Sequence, residues 1–407
     1  MMAQTASLVT LEQAIEEALA HNLDLAADRQ SLGVAEARQI TAGLKPNPIL
    51  TVQGQTLALL NTRYIPASPA GPNQFNGHID YVYERGQKRQ QRIAVAGEDR
   101  RLVELQIRES VRRLIFDVQS AFVDVLQARA AVSLAEENLK SLRGIVQVNE
   151  NRVRSGDLAA VELERSRVAV LQYEAAVLQA QLSLEQAKTR LQRLMGRAHA
   201  DTATFDITGE MRRGPVASGP DGLLKTALDR RPDLAVVRQA QARSQADVKL
   251  QIANGKVDYL IGTEYTYQRA FGFSGNSLGF SFSMPLAIYN KNQGEIARAQ
   301  RESRQFESRN GALERTIGTE IELAYRQYQS AEKLLQGIET NLLSRAKNVR
   351  DVNEYSYRRG EATLIEFLDA QRAFNDAVQS YNEARASFAR SLYLIDAVTA
   401  EAAATQK

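Results

Sequence analysis

The chain has 407 residues, with 51 Lys and Arg against 48 Asp and Glu and a formal net charge of +3. Basic residues are interleaved with acidic ones rather than clustered, so a nucleic-acid footprint is excluded. There is no cysteine, which removes disulfides, thiol nucleophiles, Cys-ligated metals and a lipid-modified N-terminal Cys from consideration.

With 24 Gly, 9 Pro, no Trp, 44% hydrophobic and 24% charged residues, the composition points to long helices. The start, "MMAQTASLVTLEQAI", has no charged region followed by an apolar core, so no signal peptide is visible. An exported protein would have shed its leader before this point. No run approaches the roughly 18 consecutive apolar residues of a transmembrane helix.

In chain order, a short helix is expected at "LEQAIEEALAHNLDLAADRQ", then strands near 49–60 and 77–85 separated by the Pro-rich "NTRYIPASPAGPNQF". A long helical hairpin comes next at about 88–195, with its tip near 154–158. The Gly/Pro-rich "ITGEMRRGPVASGPDG" then reads as a joint, with a linker at 210–222. Beyond it, "LLKTALDRRPDLAVVRQAQA" mirrors the opening helix, strands are expected near 257–268 and 277–287 around "RAFGFSGN", and a second long hairpin at about 293–397 has its tip near 358–362. The segment "VNENRVRSGDLAAVELERSR" matches "VNEYSYRRGEATLIEFLDAQ" without a gap, pairing Val148 with Val352, Arg154 with Arg358 and Gly156 with Gly360. The chain is therefore expected to be an internal duplication, 8–209 and 223–400.

Apolar residues of the first rising helix, from Ile107, Val111, Leu114 and Val118 to Leu139, Leu142 and Val146, step by four and three, the period of a coiled-coil seam. Val168, Leu171, Ala175, Leu178 and Leu182 are the expected seam of its return helix. In the second hairpin Ile317, Ile321, Ala324, Tyr328, Ala331, Leu335, Ile338 and Leu342 rise, and Leu364, Phe367, Phe374, Val378, Tyr381, Phe388, Leu392 and Ile395 return. The stretch from Lys88 to Val153 would make a rod on the order of 100 Å. Gly156 and Gly360 stand where a left-handed helix cap is expected, each followed by an acid, Asp157 or Glu361.

The strands alternate. Ile79, Tyr81 and Tyr83 interleave with His78, Asp80 and Glu84; Phe280 and Phe282 interleave with Ser281 and Ser283. Strands of about ten residues with one aromatic-rich apolar face are those of a membrane barrel. Four cannot close one, because open edges would leave backbone groups unpaired in hydrocarbon, whereas three copies would supply twelve. The polar inner face implies a water-filled passage.

These residues resemble the TolC-type outer-membrane efflux proteins over nearly the whole chain. The resemblance rests on "TLEQAIEEALAHN", "PNP" at 46–48, "PLAIYNKNQGEIARA", both glycine-centred tips and "TLIEFLDAQRAFNDAVQSYNEA", in that order. The segment from Pro285 to Ile296 is similar to the heavy-metal-efflux branch. The resemblance implies a mainly α fold with membrane β: four strands and long coiled-coil helices per protomer. Three protomers would form a 12-stranded outer-membrane β-barrel continued by a periplasmic α-helical barrel.

It further implies an exit duct for metal cations or small toxic compounds, placed in outer-membrane lipid. An inner-membrane efflux transporter and a periplasmic adaptor would be its partners, and the docking tips would be Arg154, Gly156, Asp157, Arg358, Gly360 and Glu361. The family's acidic constriction aligns with Glu366 and Asp369, and a position that helps hold the tip shut aligns with Glu162. The usual basic partner of that position aligns with Ala362, so a latch through Arg358 or Arg359 is expected instead.

Two rivals fit less well. An enzyme would need more than His21, His78 and His199, which are far apart with no His-Glu motif, no phosphate loop and no nucleophile elbow. No catalytic residue, cofactor or metal site is assigned. A soluble coiled-coil scaffold would explain the heptads but not four alternating strands placed symmetrically in both halves.

Overall fold

The computed structural model describes residues 8–55, 73–197, 205–270 and 273–401. His199 and the expected strand residues 56–60 lie outside them. Two compact units are present, one made of 1–29, 107–234 and 313–407, the other of 30–106 and 235–312.

The chain opens with β1 (Leu8–Val9), α1 (Leu11–His21) and α2 (Leu23–Ala42), and continues through β2 (Ile49–Gln55), β3 (Asn73–Tyr83), α3 (Lys88–Ser155) and α4 (Ala160–Leu194). After β4 (Asp206–Ile207), residues 208–219 hold no helix or strand. The order then repeats as α5 (Pro220–Arg230), α6 (Pro232–Asn254), β5 (Tyr259–Ala270), β6 (Phe273–Ser283) and α7 (Gln293–Gly337). A π-turn (Ile338–Leu342), α8 (Leu343–Arg359) and α9 (Leu364–Thr399) complete it. The β1–β4 pair is parallel, Leu8 opposite Asp206 and Val9 opposite Ile207, and too short to carry a periodic signal in the sequence.

In the first unit, each short helix packs its apolar face on the base of its own hairpin. Ala14, Ile15 and Ala18 of α1 sit against Val118, Ala121, Phe122 and Leu191. Leu223 and Ala227 of α5 sit against Ile317, Ile321, Phe388 and Leu392. Helix α1 starts with a reciprocal cap in which the Thr10 hydroxyl accepts from the Gln13 amide and the Gln13 side chain accepts from the Thr10 amide. Arg231, at the α5–α6 corner, is almost fully buried and is neutralised by Asp233 and Glu320 at 2.6 and 2.5 Å. Its partners hold that guanidinium above its usual pKa in spite of burial, and hold Asp233 below the usual carboxylate value.

Two expected seams are corrected. On α4, Val168, Leu171, Ala175, Leu178 and Leu182 face outward, Leu178 being 68% exposed; Leu163, Ala169, Val177 and Leu191 are buried instead. Helix α4 carries apolar rows on two faces, and the single chain covers one of them. On the second rising helix, Ile317 through Ile338 are buried but Leu342 is exposed. The π-turn explains that, because its wider ring inserts an extra residue and rotates Leu342 off the seam.

The second unit is built around one antiparallel sheet in the order β2-β3-β5-β6. Strand β3 starts earlier than expected and stops at Tyr83, where Arg85 N donates instead to Asp258 Oδ1 (2.9 Å) and Lys88 Nζ binds Asp258 Oδ2 (2.7 Å). The expected loop "RAFGFSGN" is largely ladder, with Arg269 opposite Ser274 and Ala270 opposite Phe273. Ser274 and Gly275 read as a turn, yet they face Arg269 and Gln268 across the hairpin. Strand β6 ends before Pro285, which has no N–H to donate. Both strand-to-helix junctions turn on a residue in the left-handed region, Gln87 (φ 61°) before α3 and Asn292 (φ 63°) before α7.

Candidate functional site: hairpin tips and a two-faced sheet

The two hairpin tips are built on one plan. Gly156 (φ 82°) and Gly360 (φ 80°) adopt the left-handed conformation that a side chain disfavours. The amide of the residue after each reaches back five positions: Asp157 N donates to Arg152 O (2.8 Å) and Glu361 N to Ser356 O (2.9 Å). These are Schellman ends, satisfying the last carbonyls of α3 and α8. Arg154 donates to Asn151 Oδ1 (2.9 Å), Arg358 to Glu354 Oε1 (2.8 Å), and Arg359 pairs with Glu361 (3.6 Å).

The return helices start differently. Thr363 caps α9: its hydroxyl accepts from Glu366 N (3.3 Å), while Glu366 Oε2 accepts from Thr363 N (2.7 Å) and from its hydroxyl (2.9 Å). These bonds, the backbone one foremost, hold the Glu366 carboxyl below its ordinary value. At the matching place in the first tip, α4 starts on Ala159 with no side-chain cap, and Glu162 pairs with Arg165 (2.7 Å). Asp369 is exposed beside Arg372 at 3.6 Å.

Within one chain, therefore, Glu366, Asp369 and Glu162 are each engaged by their own helix. Among the described residues no hydrogen bond or ion pair joins Glu162 to Glu366, Asp369, Arg358 or Arg359, while Glu366 and Asp369 lie one turn apart on α9. What the structure does bring together is signalled only in part, by the seam positions Leu142, Leu364 and Phe367. Tyr357 and Phe367 stack at 5.7 Å between Leu142, Ile145 and Leu364, joining the first rising helix to the second tip. The Tyr357 hydroxyl donates to Asn149 Oδ1 (2.6 Å), Asn149 is 0% exposed, and the Arg152 guanidinium lies 5.8 Å from the Tyr357 ring centre. Lower on the same interface Gln371 donates to Asn138 Oδ1 (2.8 Å). The Thr-Leu-Ile-Glu cap was readable as a Thr-x-x-Glu pattern ahead of an apolar run. The Tyr357–Asn149 pair had no sequence signal, since the partners lie 208 positions apart.

In the second unit, the ladder register sorts the sheet into two faces. Leu50 and Val52 of β2, Phe75, Ile79, Tyr81 and Tyr83 of β3, Tyr259, Ile261, Tyr265 and Tyr267 of β5, and Leu278, Phe280 and Phe282 of β6 share one of them. Large apolar side chains lie open there, Val52 at 73% and Phe280 at 83% exposed. Tyr83, Tyr259 and Phe282 cluster at one end, with Arg85 4.5 Å from the Tyr259 ring centre, as at an interface between hydrocarbon and water.

The opposite face carries Thr51, Gln53, Asn76, His78, Asp80, Glu264, Gln268, Ser277 and Ser281. Among the described ladder residues it bears no Lys or Arg. His78 and Asp80 pair at 2.7 Å, with Glu264 directly across from His78. Gly262 lies beneath them, and a Cβ there would run into Ser281, Asp80 and His78. Among the described residues, strands β2 and β6 each have a neighbour on one side only. Among the described residues, no group of three or more His, Asp or Glu is arranged to hold a metal, and no helix is long and apolar enough to cross a membrane.

A sequence profile described as outer membrane efflux protein matches residues 14–197 and 223–400. The cobalt-zinc-cadmium resistance protein CzcC of Cupriavidus metallidurans is 25% identical over 92% of this chain and 86% of its own length. The pyoverdine export outer membrane protein OpmQ of Pseudomonas putida is 24% identical over 90% of this chain and 80% of its own. Among solved structures, the Campylobacter jejuni CmeC outer membrane channel superposes with a TM-score of 0.79 at 14% identity. It covers 96% of this chain and 85% of that one. The outer-membrane channel OprN gives 0.77 at 18%, covering 96% and 89%.

Proposed function

We infer the function from one premise: the chain belongs to the outer membrane efflux protein family. It is an efflux channel of the outer membrane that reaches into the periplasm, and not an enzyme. We propose that three copies form the conducting unit, with twelve strands closing in lipid and the polar sheet face lining the passage.

The observation that carries this reading is the sheet. It has one lipid-compatible face, one polar face and two strands without an outer neighbour, an arrangement that cannot persist in hydrocarbon as a single copy. The helices support the same assembly. Val161, Val168, Leu171, Leu178 and Leu182 on α4 form one exposed row, and Leu334, Leu342, Val349 and Val352 on α7, the π-turn and α8 form another. Different rows on one chain suit a head-to-tail ring, in which the first meets the second of the next copy.

The cargo is proposed to be cationic. Asp80 and Glu264 are the acidic residues of the polar face among the described ladder residues, so three copies would set six of them along the passage and attract cations. The relative named for cobalt, zinc and cadmium resistance agrees with that charge, whereas the one named for pyoverdine export does not require it. At the tips, Glu366 and Asp369 of three copies are proposed to make an acidic constriction, with Glu162 helping to hold the closed arrangement. Arg154, Gly156, Asp157, Arg358, Gly360 and Glu361 are proposed to meet the periplasmic adaptor of an inner-membrane transporter.

Reversal potentials in planar bilayers under a KCl gradient test the cargo assignment. Wild type is expected to prefer K⁺ over Cl⁻, and Glu366→Ala/Asp369→Ala to conduct more with weaker preference. Unchanged selectivity in that variant would remove both residues from the constriction, and unchanged selectivity in Asp80→Asn/Glu264→Gln would remove the strands from it as well.

A further inference from the structure

The places where strand meets helix in the second unit, residues 43–48, 84–92, 255–258 and 284–292, are tied into one layer at the helix end of the sheet. Arg89 Nε donates to Gly43 O (2.5 Å), joining the first to the second. Asp258 accepts from Arg85 N and from Lys88 Nζ, joining the second to the third. Asn292 Nδ2 donates to Gln251 O (2.8 Å), and Gly255 lies so close to the fourth that a Cβ there would stand 2.6 Å from Lys291 O.

The charge of this layer is one-sided. Its acids, Glu84 and Asp258, are spent on Arg92 and Lys88. Lys45, Arg85, Lys256 and Lys291 are exposed, and none of them pairs with an acid among the described residues. The Arg85 guanidinium lies instead over the Tyr259 ring, on the sheet face that carries Tyr83 and Phe282. Beside these cations the apolar alternation of β6 runs on past the end of the strand through Met284, Leu286 and Ile288. Leu286 is 70% and Tyr289 90% exposed. Apolar and aromatic side chains that give way to unpaired Lys and Arg at one end of a sheet suit the boundary between acyl chains and headgroups.

Resting on the reading of the apolar sheet face as lipid-facing, we propose that this layer selects anionic phospholipid in the periplasm-facing leaflet. The headgroup phosphate accepts from the Arg85 guanidinium, Lys256 and Lys291 add positive potential, and the acyl chains lie against Phe282, Leu286 and Ile288. The argument is charge complementarity. A zwitterionic headgroup brings an ammonium of its own, which these cations repel, whereas an anionic one leaves its charge free to meet them. A phospholipid also supplies the apolar cover and the phosphate in one molecule, which a free anion does not.

Native mass spectrometry of the full chain in detergent, with phosphatidylglycerol and phosphatidylethanolamine of the same acyl chains supplied in equal amounts, tests the proposal. Phosphatidylglycerol is expected to be retained at least about fivefold over phosphatidylethanolamine, with the preference shrinking as NaCl rises from about 50 to 500 mM. Arg85→Gln/Lys291→Gln is expected to abolish most of that preference with chains per particle and phosphatidylethanolamine retention unchanged. Both side chains are exposed, and their backbone amides, which make the local hydrogen bonds, are kept. Equal retention of the two lipids by wild type, or full preference in the variant, would overturn the proposal. Loss of the preference on adding inorganic phosphate at constant ionic strength would assign the cations to free phosphate and overturn the lipid assignment. Equal retention by a protein that still requires detergent defeats this inference alone, whereas a chain that retains neither lipid and stays dispersed without detergent defeats the channel reading beneath it.

Discussion

At the residue scale the two tips are a natural comparison, because the alignment that pairs Gly156 with Gly360 also pairs Ala159 with Thr363 and Glu162 with Glu366. One tip has a reciprocal cap and the other lacks only the hydroxyl. Thr363→Ala is expected to cost about 1 kcal/mol in chemical denaturation, and Ala159→Thr to gain a similar amount by recruiting Glu162 from Arg165. A gain from Ala159→Thr with the Glu162–Arg165 contact unchanged would mean that the cap forms without its acid.

The pH dependence comes from the same bonds. Glu366 has its carboxyl lowered by folding, so its stabilisation is complete above the ordinary value of 4.5 and is lost as pH falls through the lowered one. Thr363→Ala should therefore flatten the acid side of the stability profile below about pH 4.5, which denaturant titrations between pH 3 and 6 would detect. Tyr357→Phe leaves Asn149 buried with its donor removed, and an expected loss of about 1–3 kcal/mol would show in the same titrations. The cap at Thr363 was missed although its signal is local, a Thr and a Glu three positions apart. The Tyr357–Asn149 bond was not legible, because nothing in either neighbourhood encodes a partner on another hairpin.

At the element scale, periodicity located the two long hairpins and alternation the four long strands, whereas α2 and α6 were expected only as parts of one short helix each; these failures have physical causes. A step of three and four marks an apolar row without saying what covers it. On α4 two such rows exist: the buried one holds Leu163, Val177 and Leu191, and the exposed one holds Val168, Leu171, Leu178 and Leu182. The second was the more conspicuous in sequence, yet the single chain leaves it uncovered. Leu171→Glu/Leu178→Glu is therefore expected to leave helix content by circular dichroism intact while shifting the detergent-solubilised protein from trimer to monomer. A lost helical signal would instead assign the row to the chain's own core. The π-turn was likewise unreadable, since no residue type demands it, and its effect appears only as Leu342 leaving the seam. Strand ends misled in the opposite sense: Ser274 and Gly275 read as loop, but a backbone partner across the hairpin overrides composition.

At the scale of the whole molecule, a single copy is incomplete in several places at once. Among the described residues strands β2 and β6 each lack an outer neighbour, and one sheet face displays residues as apolar as Val52 and Phe280. Exposed rows on α4 and on α7 through α8 are likewise without cover. In the proposed assembly, lipid and two further copies supply what is missing in each case. The family relationship was visible in the sequence because its strand, helix and tip signatures occur in order along nearly the whole chain. The proposed number of copies is not written in any one of them and is argued from barrel closure.

The most direct test is the number of chains per particle in the detergent-extracted protein, counted by native mass spectrometry. Three chains per particle is the predicted result, retained after dilution and reduced to one by the α4 substitutions. A protein that leaves the membrane fraction without detergent and stays a folded single chain in buffer would contradict the channel assignment at its root.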